Sequence, residues 1–333
     1  MKNNLTDPFG RKITYLRLSL TDRCDLRCNY CMAEHMVFLP KKDVLSIEEI
    51  CKLADAFVNR GITKIRLTGG EPLVRKGFMQ VINHLSEHLG TGALHELTLT
   101  TNATQLSRHA DALYKAGIRR INVSLDSLDP LTFNRVTRGG NLARVLEGIE
   151  AAQEAGLKIK LNTVALKHDN ADAIPDMIAW AHARQMDISL IEIMPLGETG
   201  ENRLDQFIPL TAIREKLDAR WTLKDTDQST GGPSRYAEVA QTGGRIGFIS
   251  PLTQNFCQGC NRVRVTCTGK IYLCLGQNEH LDLKAALRGP NSERALSKCI
   301  DMAIGQKPLR HDFEIGDNST PASVTRPMSL TGG

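Results

Sequence analysis

Short strand-like runs alternate with helix-like segments along most of the chain. The strand-like runs are residues 15–20, 62–68, 96–101, 120–125, 158–164 and 188–193. The helix-like segments begin with a capping box at Ser46 and Glu49 and a stop at Gly61, and continue at residues 78–89, 105–116, 141–155 and 171–183. Six strand-then-helix units of this kind predict a parallel sheet wound by right-handed crossovers.

The number of units limits how such a sheet can close. Six units are fewer than the eight of a closed barrel, so we predict an α/β fold with a partial (βα)6 TIM-like barrel, and a flat doubly wound sheet is the alternative. Both folds place function at the carboxyl ends of the strands. The distinctive loops there contain Cys24 to Cys31, Gly69 to Pro72, Thr100 to Asn102, Ser124 to Asp126, and Met194.

The composition changes at residues 226–234, which are polar and rich in Gly and Pro. We place a domain boundary there, between a barrel at residues 1–232 and a C-terminal α+β region at residues 233–333. Strand-like alternation returns at residues 245–249 and 262–267, and Thr268, Gly269 and Lys270 predict a hairpin turn before residues 271–274. Two helical stretches and a tail rich in Pro, Ser and Thr complete this region.

Three cysteines, Cys24, Cys28 and Cys31, stand in C-x3-C-x2-C spacing just after the first strand-like run. Thiolates in one short loop are soft ligands that suit an iron–sulfur cluster. Because a cubane cluster has four irons, three thiolates leave one iron open to another ligand. The alternative is a partial zinc site that a distant residue completes, since a closed zinc site takes four ligands.

A second set of thiols lies near the end of the chain. Cys257 and Cys260 form C-x2-C, and Cys274 follows after thirteen residues. Cys267 competes with Cys274 for the third place, but alternation along the strand turns Cys267 to the face opposite that of Cys260. This spacing predicts a second cluster with an open iron. If Cys267 and Cys274 both served, the four thiolates would instead make a closed zinc site.

Arg262 and Arg264 share the predicted strand face of Cys260. Two guanidiniums beside a metal site repel each other, and a bound polyanion would offset that repulsion because arginine matches phosphate oxygens in a bidentate manner. The alternative is a pair of solvated arginines on an exposed strand.

Composition narrows the classes of protein to which the chain belongs. No apolar run reaches the length of a membrane span, and the N-terminus lacks a signal-peptide core, so we expect a cytoplasmic protein. Clustered cysteines in a reducing compartment indicate metal ligands, whereas Cys51 and Cys299 lie beside apolar stripes and are interpreted as core residues. A net charge of +5 and 5% aromatic residues weigh against nucleic-acid binding.

The first cysteine motif, with Tyr30 before Cys31, resembles that of the radical S-adenosylmethionine (SAM) superfamily. Both cysteine sets, the Asn261 to Arg264 stretch and the terminal Gly332 and Gly333 together resemble the GTP 3′,8-cyclase family of molybdenum cofactor biosynthesis. This resemblance runs from Thr14 to the last residue.

The resemblance implies two [4Fe–4S] clusters, SAM as cofactor and GTP as substrate. It implies cluster ligands at Cys24, Cys28 and Cys31 and at Cys257, Cys260 and Cys274. SAM contacts are implied at Tyr30, Gly70, Ser124 and Met194, and GTP contacts at Arg17, Arg66, Thr100, Lys160, Arg262 and Arg264. The implied catalytic residues are Arg17, Arg262, Arg264, Gly332 and Gly333. Glu71 either accepts a hydrogen bond from the SAM ammonium or lies on the surface.

The implied reaction is carried out by a 5′-deoxyadenosyl radical, which abstracts the C3′ hydrogen of GTP. The C3′ radical attacks C8, and reduction gives (8S)-3′,8-cyclo-7,8-dihydroguanosine 5′-triphosphate. The implied partners are a flavodoxin-like or ferredoxin-like reductant and a downstream cyclic pyranopterin monophosphate synthase, and a homodimer is compatible with the resemblance. Two alternatives remain at this point: a peptide-modifying radical SAM maturase, and a zinc-stapled nucleic-acid-binding protein without enzymatic activity.

Overall fold

One sheet of twelve strands organises the computed structural model, which describes residues 5–200, 202–311, 313 and 324–332. In chain order the strands are β1 (Tyr15–Ser19), β2 (Lys64–Thr68), β3 (Glu96–Thr101), β4 (Arg120–Ser124), β5 (Lys158–Ala165), β6 (Asp187–Glu192), β7 (Leu223–Thr226), β8 (Arg235–Val239), β9 (Arg245–Ile249), β10 (Arg262–Val265), β11 (Lys270–Tyr272) and β12 (His280–Asp282). Their spatial order is β12-β11-β10-β1-β2-β3-β4-β5-β6-β9-β8-β7. The strands from β10 to β9 in this order are parallel, and antiparallel strands extend both edges. The predicted partial TIM-like barrel is confirmed.

The helices are α1 (Ile47–Asn59), α2 (Phe78–Gly90), α3 (Ala110–Lys115), α4 (Pro130–Thr137), α5 (Leu142–Glu154), α6 (Ile174–Ala183), α7 (Leu210–Asp218), α8 (Lys284–Arg288), α9 (Ser292–Ile304) and α10 (Met328–Thr331). The capping box of α1 is confirmed, because Glu49 N donates to Ser46 Oγ at 3.2 Å and Ser46 N donates to Glu49 Oε2 at 2.8 Å. Within the described ranges, no helix combines the length and apolarity needed to cross a membrane.

The predicted helix at residues 105–116 is wrong in its first half. A 3-10 turn covers Leu106–Arg108, and α3 begins only at Ala110. His109 separates the two with a φ of −126°, which is not helical, and its ring packs edge-on against Phe78 with centroids 4.7 Å apart. This tertiary contact overrides the helical periodicity of the segment.

Periodicity along the chain does not predict α4. Local start signals are nevertheless present, because the side chain of Asp129 accepts a hydrogen bond from Thr132 N and Pro130 occupies the first turn. The helix is short and follows β4 directly, so it lengthens the crossover between β4 and β5 without adding a strand. Helix α7 and strands β7 and β8 also lie outside the predicted elements.

The C-terminal region is built into both edges of the barrel sheet. Strand β10 pairs in parallel with β1, and β9 pairs in parallel with β6. The predicted hairpin is confirmed, because β10 and β11 are antiparallel and Gly269 occupies the turn with a φ of +85°. The predicted boundary between residues 232 and 233 falls between β7 and β8, which pair with each other, and the division into domains stays a prediction.

The parallel strands have one apolar face and one polar face. Leu16 and Leu18 of β1 belong to the main apolar core, whereas Tyr15 and Arg17 line a cavity inside the barrel. The neighbouring strands repeat this division, with Ile65 in the core and arginines in the cavity. Because successive side chains of a strand point to opposite faces, the alternation of Leu and Arg visible in the sequence becomes an apolar exterior beneath the helices and a cationic interior.

Candidate active site

A row of arginines crosses the interior of the barrel. Arg17 on β1 stands opposite Arg264 on β10 and opposite Arg66 on β2. Two residues earlier on the same strands, Tyr15 stands opposite Arg262. The arginines are only 6–8% exposed, and all of them line one cavity. Because neighbouring strands are about 4.8 Å apart, the row concentrates positive charge at a spacing that a polyphosphate can bridge.

The cationic row is electrostatically unfavourable without an anion. Burial and, to a lesser degree, the charges of Arg66 and Arg262 lower the pKa of Arg17 to about 10, against the opposing effect of Tyr15. Burial also lowers the pKa of Arg264 well below its usual range. Among the described residues, the buried Nε atoms of Arg66 and Arg262 have no hydrogen-bond partner. These are donors that a bound polyanion would satisfy.

Tyr15 lies among these cations. Burial by itself would raise the pKa of its hydroxyl, but the charges of Arg66, Arg17 and Lys64 outweigh burial and lower the pKa to about 8. The ring also lies beneath Lys64 Nζ, 5.0 Å from the centroid, and Arg66 Cζ, 5.8 Å from the centroid. Tyr15 is a residue of this site that the sequence did not indicate.

The opposite wall carries Lys160 on β5. Its side chain is buried, and Nζ donates to the hydroxyl of Tyr236 at 2.9 Å. Burial lowers the pKa of Lys160, and Tyr236 partly opposes the effect. Tyr236 belongs to β8, beyond the predicted domain boundary, and no motif marks it. The structure therefore brings together five of the six predicted GTP residues in one cavity: Arg17, Arg66, Lys160, Arg262 and Arg264.

Thr100, the sixth predicted GTP residue, lines an adjoining cavity instead. Its buried Oγ1 has no hydrogen-bond partner within the described ranges. The two cavities share Asn162, Ile191 and Met194, so they are continuous lobes of one site. The second lobe holds the whole predicted SAM set and the first cysteine motif: Cys24, Cys28, Cys31, Tyr30, Gly70, Ser124 and Met194.

The first cysteine loop presents three half-buried thiols to this lobe. Burial raises the pKa of Cys28 well above its usual range and that of Cys31 to about 12, and the nearness of Cys24 to Cys28 adds to the effect. Thiols in this environment would stay protonated unless a metal cation stabilised their thiolates. Leu26 N donates to Cys24 Sγ at 3.4 Å, a type of contact that tunes iron–sulfur clusters. The donor set fits a [4Fe–4S] cluster.

Gly70 holds the loop after β2 against the start of the cysteine loop. Gly70 N donates to Thr21 O at 2.8 Å, and Glu71 N donates to Arg23 O at the same distance. A Cβ atom at Gly70 would lie 2.2 Å from the carbonyl oxygen of Arg23. The absence of a side chain is therefore required by this backbone contact itself, and contact with SAM stays a prediction.

Glu71 is buried and hydrogen-bonded inside the protein. The alternative that it lies on the surface is therefore wrong. It is 1% exposed and accepts hydrogen bonds from Leu73 N, Thr101 Oγ1 and Asn102 N, at 3.0, 2.8 and 2.6 Å. Burial raises its pKa to about 7, although the hydrogen bonds act in the opposite direction. These bonds join the ends of β2 and β3 beside the cysteine loop.

Asp126 supports Tyr30, the aromatic residue of the first motif. The Tyr30 hydroxyl donates to Asp126 Oδ2 at 2.7 Å, and Val164 N donates to Asp126 Oδ1 at 2.9 Å. Asp126 is buried at the end of β4, and burial raises its pKa to about 6. The sequence places Asp126 in the correct loop, but only the structure shows that it orients Tyr30.

The second cysteine set faces the cationic lobe. Cys257, Cys260 and Cys274 all line the cavity that contains the arginines, and Cys260 N donates to Cys257 O at 3.1 Å. Cys267 is fully buried elsewhere, near Ser19 and the charges of Asp22 and Arg75. This geometry supports Cys274 as the third ligand. Cys51 and Cys299, interpreted as core residues, are half-buried and pack against the main core.

The C-terminal tail enters the same barrel. Val324 pairs with Leu196, and the carbonyl oxygen of Gly332 accepts a hydrogen bond from Arg264 Nη1. A Cβ atom at Gly332 would lie 2.1 Å from Thr68 Oγ1. The tail therefore reaches the cationic row, and Gly332 needs its missing side chain there. Gly333, the other predicted tail residue, lies outside the described residues.

Arg326 attaches the tail to the second cysteine loop, and sequence reasoning did not identify it. Its guanidinium donates to the carbonyl oxygens of Cys274, Leu275 and Gln277. The guanidinium also lies over the Tyr272 ring, 4.1 Å from the centroid. Arg326 thus ties the approach of the tail to the loop that carries a predicted cluster ligand.

Two family models match the chain: the Radical SAM superfamily over residues 18–181 and Molybdenum Cofactor Synthesis C over residues 186–313. Proteins named GTP 3′,8-cyclase are similar over nearly the whole length. That of Erythrobacter litoralis (strain HTCC2594) is 60% identical over 331 residues, which cover 99% of both chains. That of Rhizobium meliloti (strain 1021) is 58% identical over 329 residues, which cover 99% of this chain and 94% of the relative.

Solved structures share the fold at low sequence identity. Streptococcus suis SuiB bound to S-adenosylmethionine superposes with a TM-score of 0.62 at 16% identity, over 84% of this chain and 65% of SuiB. Native anSMEcpe with bound AdoMet gives a TM-score of 0.61 at 15% identity, over 87% of this chain and 80% of that protein. These two agree with the barrel assignment. From the full-length relatives and the matching family models, the chain belongs to the GTP 3′,8-cyclase family of the radical SAM superfamily.

Proposed function

We propose that this chain converts GTP into (8S)-3′,8-cyclo-7,8-dihydroguanosine 5′-triphosphate, the first step of molybdenum cofactor biosynthesis. The observation that carries the proposal is the pairing of two sets of three cysteines in adjoining lobes of one cavity, with buried cations lining the lobe of the second set. The family membership makes the chain a radical SAM enzyme, a lyase that binds SAM and [4Fe–4S] clusters.

The cysteines divide the chemistry between the two lobes. Cys24, Cys28 and Cys31 would hold one cluster, and Cys257, Cys260 and Cys274 the other. With clusters bound, the thiolates of the first loop would hold the source of the electron that cleaves SAM, and those of the second set would hold a site for the purine. The lobes meet at Met194 and Asn162, so the reacting ends of SAM and GTP would meet there.

The cationic row would bind the triphosphate. Arg17, Arg66 and Arg264 stand side by side on three strands, Arg262 lies two residues before Arg264 on β10, and Lys160 lines the same cavity from β5. Each charge-assisted hydrogen bond to a phosphate is worth about 1.5–3 kcal/mol, and these bonds act against the repulsion within the row. Holding the triphosphate at fixed strand positions would orient the ribose toward the SAM lobe.

The tail would complete the wall of the GTP lobe. Gly332 O accepts from Arg264, so the tail orients one of the guanidiniums that would bind substrate. Arg326 keeps the tail against the Cys274 loop. A closed wall excludes water, which would otherwise screen the phosphate contacts.

The proposals for the electron donor and for the next enzyme are argued from the chemistry of the reaction alone. We propose a flavodoxin-like or ferredoxin-like protein as reductant, because a one-electron donor is needed, and a cyclic pyranopterin monophosphate synthase as the consumer of the product. Exposed clusters need a reducing, low-oxygen compartment, so we propose the cytoplasm as the location.

The test is formation of 5′-deoxyadenosine by anaerobically reconstituted protein with SAM and dithionite, with and without GTP. We expect strong stimulation by GTP and transfer of deuterium from C3′-labelled GTP into 5′-deoxyadenosine. ATP labelled at the same carbon is the matched control. SAM cleavage that is indifferent to GTP would remove GTP as the substrate, and deuterium transfer from both nucleotides would remove the specificity for GTP.

A further inference from the structure

Two histidines and one carboxylate converge on the outer side of the barrel. Asp55 lies on α1, and His84 and His88 lie four residues apart on α2, so both imidazoles project from the same face of their helix. None of the three lines either lobe of the active site. They belong to no motif of the family resemblance, and the function proposed above makes no use of them.

The three side chains converge on one point. Nε2 of His84 lies 2.8 Å from Asp55 Oδ1, and Nε2 of His88 lies 2.7 Å from the same oxygen. The two rings are nearly perpendicular, with an interplanar angle of 85° and centroids 5.9 Å apart. The side chains are 22–34% exposed, which leaves an open approach from solvent.

We propose that Asp55, His84 and His88 bind one zinc-class divalent cation per chain. Two imidazole nitrogens and a carboxylate oxygen are a donor set that Zn²⁺ prefers, with water in the remaining position of a tetrahedron. Bonds of about 2.0–2.1 Å place tetrahedral donor atoms about 3.3 Å apart, so each imidazole nitrogen needs to move only about 0.5 Å away from Asp55 Oδ1. All three donor atoms already lie within 4.8 Å of one another.

The positions of the residues favour a metal site over hydrogen bonds alone. Both histidines present the same nitrogen to one carboxylate oxygen, so three donor atoms of the types that bind zinc meet at one point. The spacing of four residues fixes both ligands on a rigid helix, so binding requires no backbone movement. The cation would join α1 to α2 across the helical layer that covers β1, β2 and β3.

The test is a zinc titration of protein that carries both iron–sulfur clusters, so that the cluster thiolates are occupied. Iron and zinc are measured together after gel filtration, and the zinc is examined by X-ray absorption. We expect one zinc per chain, with imidazole and oxygen scatterers at about 2.0–2.1 Å and no sulfur at about 2.3 Å. The double variant His84→Gln/His88→Gln should lose this zinc and keep its iron.

The matched control is His95→Gln/His168→Gln, which removes two exposed histidines elsewhere and should keep the zinc. Zinc that binds equally to wild type and to the His84/His88 variant would overturn the proposal, as would sulfur ligation or no bound zinc. If the double variant loses iron because it folds poorly, Asp55→Asn and the wild-type absorption spectrum decide the question. Zinc binding is measured without GTP turnover. Its outcome therefore tests the metal site separately from the proposed function.

Discussion

Arg17 stands in the middle of a row of like charges, with Arg264 on one side and Arg66 on the other. Such a row is expected to destabilise the empty protein, because buried like charges repel and lose hydration. A ligand that neutralises it should therefore stabilise the fold and bind tightly. This unfavourable burial of like charges supports the proposal that the row binds a polyanion.

Removal of one guanidinium from the row should weaken GTP binding and stabilise the protein without GTP. For Arg66→Gln we expect the Kd for GTP, from isothermal titration, to rise about tenfold or more, because a charged hydrogen bond is lost. The melting temperature without GTP should rise. Arg214→Gln, which breaks a surface ion pair with Asp225, is the control and should change GTP affinity little. An unchanged Kd in Arg66→Gln would contradict the assignment.

Measuring the iron content per chain tests whether Cys267 or Cys274 is the third ligand of the second cluster. Cys274 lines the cavity with Cys257 and Cys260, whereas Cys267 is buried apart from them. Two cubane clusters contain about eight irons, so Cys274→Ser should retain about four, and Cys267→Ser about eight. Both changes replace sulfur with oxygen, so each controls for the other. Iron loss in Cys267→Ser with retention in Cys274→Ser would reverse the assignment.

At the scale of elements, the tail and the β11–β12 connection act together. In the tail, the carbonyl oxygen of Gly332 accepts a hydrogen bond from Arg264, and Arg326 donates to three carbonyl oxygens of the connection. Neither segment has an apolar pattern that would order it alone. Hydrogen bonds between the two segments hold both in place. A substitution that displaces one segment should therefore also displace the other.

A methyl group at Gly332 should displace the tail. In Gly332→Ala the new Cβ would lie 2.1 Å from Thr68 Oγ1, and the φ of +71° is unfavourable for alanine. We expect turnover to fall about tenfold or more with iron content unchanged. Gly92→Ala is the matched control, because Gly92 has a φ of +72° with open space around it. Equal losses in both variants would attribute the effect to backbone strain.

Arg326 should act as a positioning residue. Arg326→Lys keeps the charge but cannot reach three carbonyls while lying flat on Tyr272. We expect kcat to fall by about tenfold with a smaller change in the KM for GTP and with both clusters present. Arg235→Lys, an exposed arginine on β8, is the control. A loss of iron instead would mean that Arg326 only maintains the Cys274 loop.

At the scale of the whole molecule, the C-terminal strands depend on contacts with the barrel. His182 on α6 makes one such contact, since Nδ1 lies 2.7 Å from Thr242 Oγ1 and Nε2 lies 3.3 Å from Arg245 O. Thr242 and Arg245 belong to the turn and strand that follow β8. The imidazole therefore joins the outer helices to the strand pair that extends the sheet beyond β6.

This contact should make stability depend on pH. Burial lowers the pKa of His182, although Arg245 O and Asp187 act against it. Below about pH 6.5 the unfolded chain takes up a proton that the folded chain resists, so the free energy of unfolding falls as pH falls toward the folded pKa. Wild type should therefore lose more stability than His182→Gln between about pH 7.5 and about pH 5.5, in urea unfolding. His280→Gln, at an exposed histidine, should behave as wild type.

Local patterns predicted the parts of the molecule that local physics controls. Strand and helix periods, the Ser46 capping box and the Gly269 turn all depend on neighbouring residues. The helix predicted at residues 105–116 is longer than α3. The ring of Phe78, which is distant in sequence, holds His109 out of helical geometry, and local periodicity does not reveal that contact. Strand pairings between β10 and β1, and between β9 and β6, join segments far apart in sequence, so no local pattern indicates them.

The chemistry expected of the site follows from residue type and spacing, because the cysteine motifs and the arginines of the strands are visible without coordinates. Which residues support that chemistry depends on the tertiary structure. Tyr15, Tyr236 and Arg326 join the site through pairings and side-chain contacts between distant segments. The types of the residues indicate which ligand they can bind. The orientation of that ligand depends on which surfaces the folded chain brings within hydrogen-bond distance.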